Sequence, residues 1–165
     1  MRRLLIAVSL LGAVLVTLVI VFLWPRAQEQ AGEVVAGAVD EVRSSQIVYL
    51  AEPGVFVVAV DEGFLALSDD ARHVGDRVLF CTSDNTFSSP AHGERFDRLG
   101  RYVAGPAAGD LGRYPVVVRA DHVLVDLSGG PELPGRSTIS DDPAGPGCEG
   151  EGAEGPPGFY TDGTP

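Results

Sequence analysis

The apolar positions of this chain follow two different patterns. From Leu4 to Leu23 they form a run of twenty uncharged residues, relieved only by Ser9, Gly12 and Thr17. At about 1.5 Å per residue, a helix of that length crosses the roughly 30 Å hydrocarbon core of a bilayer. Arg2 and Arg3 precede the run, Trp24 stands where an interfacial aromatic is expected, and Pro25 ends it. A cleaved signal peptide is the competing reading. Its apolar region would span only about 7–15 residues and end in a small-x-small site, unlike Trp24-Pro25-Arg26. Residues 1–26 are therefore read as a retained single-pass anchor in the cell membrane. Arg2 and Arg3 outweigh Arg26, which Glu29 and Glu33 soon follow. That bias places the N-terminus in the cytoplasm and the body of the chain outside it.

The second pattern begins at Gln46 and consists of short β-like runs separated by turns. "QIVYL" leads through "AEPG" to "VFVVAV", and "DEG" leads on to "FLALS". "RVLFCTS" is rich in strand formers, and "NTF" begins its return partner. "YPVVVRA" and "DHVLVDL" form a second hairpin around Ala120-Asp121. Short strands at this spacing predict an all-β domain, a small barrel or sandwich, over residues 46–127. Residues 27–45 read as a juxtamembrane stalk. Val34, Val35, Ala38, Val39 and Val42 would make a helical stripe there, weakened by Gly32 and Gly37.

From Ser128 to Pro165 Gly and Pro dominate and apolar residues are scarce. Such a segment cannot bury enough surface to offset its ordering entropy, so 128–165 is expected to be a disordered acidic tail. Charge supports this division. Residues 1–26 carry +3, 27–45 carry −3, 46–127 carry −5 and 128–165 carry −6, within a formal total of −11. An acidic chain without a basic stripe is a poor ligand for nucleic acid, whose phosphates supply most of the affinity.

Candidate chemistry concentrates between Asp69 and Val118. "ARH" at Ala71–His73 precedes "SPAH" at Ser89–His92, with fifteen residues from Val74 to Ser88 between them. His73 is followed by Val74-Gly75. His92-Gly93 leads to Phe96-Asp97, Gly100, "GPA" at Gly105–Ala107, Leu111 and Tyr114-Pro115. This ordered string, covering about half the chain with its flanking strands, resembles the Rieske [2Fe–2S] family, in particular membrane-anchored bacterial members of the quinol–cytochrome c reductase type. The family supplies Cys-x-His from one loop and Cys-x-x-His from a second; two Cys hold one iron and two His the other.

The resemblance sets His73 and His92 at the two histidine positions. It sets Ala71 and Ser89 at the cysteine positions, where neither residue offers the soft thiolate that such iron takes. The positions of an extra loop-bracing cysteine pair read Asp76 and Ala91. Glu94 replaces a serine whose hydroxyl would bond the cluster. Ligands, brace and surroundings thus differ together, and the reading is of a Rieske-like domain without a cluster. It would serve as a structural or protein-interaction module at a membrane respiratory or quinol-oxidising complex, the partner that the resemblance implies.

Two alternatives remain open. One is an electron-transfer protein that still carries [2Fe–2S]. The other is a mononuclear iron or zinc site on His73 and His92, completed by Asp76, Asp70 or Glu94. Cys81 and Cys148 either pair outside the cytoplasm or remain separate, Cys81 as a buried strand residue and Cys148 as a free thiol. No catalytic set stands out. Ser89 with His92 belongs to the ligand-box frame, and "AGPAAGDLG" lacks the Lys of a phosphate loop. The acidic pairs Asp61-Glu62 and Asp69-Asp70, and His122, are expected in solvated turns.

Overall fold

In a computed structural model of the chain, residues 32–137, 153–154 and 157–161 are described. The β-rich expectation holds across them. In chain order they form β1 (Glu33–Ala38), α1 (Val39–Ser45), β2 (Ile47–Leu50), β3 (Val55–Val60), β4 (Gly63–Ser68), β5 (Leu79–Cys81), β6 (Thr86–Ser88) and β7 (Arg95–Asp97). These are followed by β8 (Tyr102–Ala104), β9 (Arg113–Tyr114), β10 (Val116–Arg119), β11 (His122–Asp126), β12 (Ala153–Glu154) and β13 (Phe159–Thr161). The predicted span Leu4–Leu23 lies outside the described residues. Among those residues no helix is long and apolar enough to cross a membrane.

Three sheets result, ordered β1-β11-β10, β2-β3-β4-β9 and β12-β13-β5-β6-β7-β8. β3 explains their arrangement. Successive strand side chains point to opposite faces, yet "VFVVAV" is apolar throughout, as expected of a strand covered on both sides. Phe56 and Val58 pack with Ile47, Leu67, Phe80, Phe87 and Phe96 in one core. Val55 and Val57 pack with Ala66, Val42, Val123 and Val125 in a second. The four-stranded sheet is therefore the middle layer. Its first core faces the sheet that carries the two candidate loops, and its second faces the three-stranded sheet and α1.

The β10–β11 hairpin turns at Ala120-Asp121, as expected, with Arg119 opposite His122. Both turn residues have positive φ, 48° and 64°, as a two-residue type I′ connection demands. The segment read as a stalk differs from expectation. From Glu33 onward it belongs to the domain, because Val34 and Val35 pair with Val125 and Leu124 of β11. Only Val39–Ser45 is helical, and Val42 is fully buried in the second core. Pairing across the fold outweighs the helical stripe. Gly37 adjoins a shift in the ladder that lets strand pass into helix.

The boundary at Ser128 also differs. Glu132 exchanges both backbone hydrogen bonds with Arg113, at 2.7 and 2.8 Å. Far along the acidic segment, β13 adds in parallel to β5, with Phe159 opposite Phe80. The Phe159 ring lies 6.0 Å from that of Phe80 and 6.2 Å from that of Phe56. One aromatic anchor thus supplies the burial that composition did not reveal. Gly158 before it is required: a Cβ there would lie 2.4 Å from the Tyr49 ring.

Phe87 touches both Phe56 and Phe80, with centroids 4.9 and 5.1 Å apart. Phe87→Ala should therefore cost about 3–5 kcal/mol, read from denaturant unfolding. Exposed Val118→Ala should change stability by less than about 0.5 kcal/mol. Equal effects would contradict this layering.

Candidate metal centre

Two loops leave the same end of the first core. The loop from Asp69 to Val78 joins β4 to β5 and is closed by an Asp70–Arg77 bridge. Within it the Ala71 amide donates to the Asp76 carbonyl at 2.8 Å and the Asp76 amide to the His73 carbonyl at 3.0 Å. The loop from Ser89 to Glu94 joins β6 to β7 and closes on itself, the Ser89 amide donating to the Glu94 carbonyl at 2.9 Å. A third loop, Gly105–Gly112, backs the second. A Cβ on Gly105 would lie 2.7 Å from Glu94 Cα and 2.8 Å from the Gly93 carbonyl oxygen, at a φ of 93°.

His73 and His92 meet at the loop tips, with ring centroids 5.1 Å apart and planes at 85°. His92 is largely exposed and donates from Nδ1 to the Asp76 carboxylate, a hydrogen bond that bridges the two loops. That hydrogen bond and the Asp76 charge raise the His92 pKa above the ordinary imidazole value. Desolvation opposes the shift slightly and the Glu94 charge adds to it.

Below the rings lies Glu94. Its side chain is fully buried, and neither carboxylate oxygen has a hydrogen-bond partner. Ligating atoms of His73, His92 and Glu94 all lie within 4.8 Å of one another. Of the carboxylates weighed as companions to the histidines, Glu94 is the one that faces both. Asp76 instead holds His92, and exposed Asp70 accepts the Arg72 amide at 2.7 Å.

Ala71 is fully buried among the apolar residues of the first core. Ser89 is 2% exposed, with its hydroxyl unpartnered. Cys81 is buried in β5, away from the loop tips, and disulfide-bonded. Cys148, the chain's other cysteine, lies outside the described residues.

His122 is exposed beside its turn, with Nδ1 3.0 Å from the Ala120 carbonyl, and Asp61-Glu62 is a solvated turn. The Asp69-Asp70 pair divides. Asp69 is buried and held by the Tyr49 hydroxyl at 2.7 Å and Arg77 at 3.1 Å. Burial nevertheless raises its pKa, against the lowering effects of Tyr49 and Arg77.

Sequence reasoning missed a strap across the site. Arg72 of the first loop donates to the carbonyls of Asp110, at 2.9 Å, and Pro134. Arg136 donates to the Ala107 carbonyl and lies over the Tyr102 ring at 4.3 Å. Asp110 accepts from the Tyr102 amide at 2.9 Å and from both the amide and hydroxyl of Ser137. Burial disfavours the charged Asp110, but the Ser137 bonds, the Tyr102 amide and the Arg113 charge outweigh it and lower its pKa. Asp97, in the aromatic-Asp pair, is likewise an organiser: it accepts from the Leu99 and Arg101 amides, each at 2.9 Å.

No family model matches the chain. The cytochrome b6-f complex iron-sulfur subunit of Chlorobaculum thiosulfatiphilum is 27% identical over 95 residues, covering 56% of this chain and 52% of that protein. The chain thus spans about half the length of the curated relative it matches. Among solved structures, the plasma membrane Rieske protein PetC3 from Synechocystis PCC 6803 superposes with a TM-score of 0.49 at 25% identity, covering 56% of this chain and 98% of that one. The ferredoxin of carbazole 1,9a-dioxygenase from Nocardioides aromaticivorans IC177 gives a TM-score of 0.42 at 24% identity, covering 57% and 96%. In its sequence match, the described domain is similar to that iron–sulfur subunit.

A depressed carboxyl pKa stabilises the fold above its unfolded value, and the benefit is lost as pH falls through the folded value. The Tm difference between the natural chain and Asp110→Asn should hold from neutrality down to the ordinary carboxylate range, then shrink in stronger acid. A pH-independent difference would contradict the strap's electrostatics. Gly105→Ala should cost roughly 1–3 kcal/mol in denaturant unfolding. Gly129→Ala, which meets nothing within 4 Å, should cost far less.

Proposed function

We propose that this chain is a membrane-anchored protein whose extracytoplasmic Rieske-like domain holds no [2Fe–2S] cluster. It serves as a structural or protein-interaction module of a membrane electron-transfer complex. The observation that carries the reading is the donor set at the loop tips. A Rieske cluster takes two thiolates and two imidazoles. The positions that the resemblance assigns to cysteine are Ala71, which has no donor and packs into the core, and Ser89, a buried neutral hydroxyl. Cys81 is committed to a disulfide in β5, and the buried Glu94 brings an anion where a cluster would already be anionic. These residues do not fit the cluster.

The anchor rests on the Leu4–Leu23 run and its flanking charges. The extracytoplasmic placement is supported also by the disulfide at Cys81, since such bonds persist in oxidising compartments. Cys148 is the partner available within the chain, and that bond would tie the acidic segment to the sheet edge where β13 adds. The complex is proposed from the similarity to the cytochrome b6-f iron-sulfur subunit.

The test uses the full chain, purified anaerobically in detergent from cells that assemble iron–sulfur clusters. Iron, acid-labile sulfide and the EPR spectrum are measured. The expected result is no stoichiometric sulfide and no Rieske-type signal; stoichiometric sulfide with that signal would overturn the reading. Crosslinking in native membranes should capture subunits of a quinol-oxidising complex.

A further inference from the structure

Glu94 presents a problem that the proposed function leaves unsolved. A carboxylate removed from water needs a hydrogen-bonding partner or a counter-charge, and both Glu94 oxygens lack a partner while the side chain is fully buried. The groups above it are two imidazoles from two loops. We propose that His73, His92 and Glu94 together bind one divalent transition-metal ion, zinc or ferrous iron, with Asp76 as the residue that positions His92.

The chemistry of the donors favours such an ion. Two neutral imidazoles and one carboxylate suit zinc and ferrous iron, whereas magnesium and calcium take oxygen donors almost exclusively. A metal cation supplies the counter-charge that Glu94 lacks. His92 donates its Nδ1 proton to Asp76, which fixes the tautomer that leaves the Nε2 lone pair for a metal, as in carboxylate–histidine–metal pairs. Zinc lies about 2.0–2.2 Å from such ligand atoms, so the three groups must close somewhat from separations of up to 4.8 Å. His92, with 47% of its side chain exposed, has room to turn inward, and the hydrogen-bonded second loop holds Glu94 fixed beneath it. Three protein ligands leave coordination positions open for water or a small anion. The inference assumes that no cluster occupies the loops, and it adds a resident ion to the proposed function.

The full chain in detergent is stripped of metal with a chelator and titrated with Co(II), followed by displacement with Zn(II). We expect one saturable Co(II) site per chain with visible bands of low-symmetry coordination, lost on adding Zn(II) and unaffected by magnesium. His92→Ala, an exposed change that spares the core, and Glu94→Gln should each weaken binding at least about tenfold. Asp76→Asn should weaken it about 10–100-fold while keeping the stoichiometry, and His122→Ala should leave it unchanged. Absence of saturable uptake, or uptake indifferent to His92→Ala, would overturn the proposal. Sulfide analysis of the same preparation separates the two readings. Stoichiometric sulfide defeats the cluster-free function and this site together; no sulfide and no uptake defeats this site alone.

Discussion

Val55 to Val60 carries an apolar side chain at every position, and both faces of that strand are covered, Phe56 and Val58 by one core and Val55 and Val57 by the other. Each fully buried side chain of this kind contributes about 1.5–3 kcal/mol relative to exposure, so the strand ties two packing problems into one. The β1-β11-β10 sheet and α1 complete the face that carries Val55 and Val57. The longer sheet completes the face that carries Phe56 and Val58, and from its end the two loops project. The loops therefore share a base that cannot shift without disturbing both cores.

Above that base, the loops are joined by interactions of polar groups. Asp76 and His92 bridge their tips, Arg72 and Arg136 fasten the first and third loops to the Pro134–Ser137 segment, and Gly105 lets the third loop press against Glu94. Glu94 itself is sealed from water, and its carboxylate oxygens have no partner. Burial of a charge with no hydrogen bond is costly in a purely structural element, which is why the two histidines and this carboxylate are read together. The ordered Pro-x-His-Gly string and its downstream motif residues shape this arrangement.

Much of this could be read from the chain. "QIVYL", "VFVVAV" and "FLALS" are apolar runs bounded by turn residues, the first two rich in β-branched residues, and they became β2, β3 and β4. The meeting of His73 and His92 followed from the resemblance. The three-residue strands "RFD" and "YVA" carry no usable periodicity, and their pairing depends on neighbours rather than on their own pattern. Val34 and Val35 were ambiguous because a stripe beside two glycines fits a weak helix as well as an edge strand. Phe159 and Tyr160 follow a run of Gly and Pro, so composition hid the anchoring of Phe159. Glu94 could be named as a candidate carboxylate, but its full burial comes from tertiary packing, which no local signal carries. Asp110 and Ser137 were missed for the same reason.

This pair of loops is proposed to present two imidazoles and a buried carboxylate to a single ion instead of two irons and two sulfides. Native mass spectrometry of the intact chain, released from detergent without denaturation, weighs the alternatives directly. The expected result is the mass of the polypeptide plus one divalent transition-metal ion, with the added mass absent in His92→Ala. An increment equal to two iron and two sulfur atoms on the natural chain would contradict it.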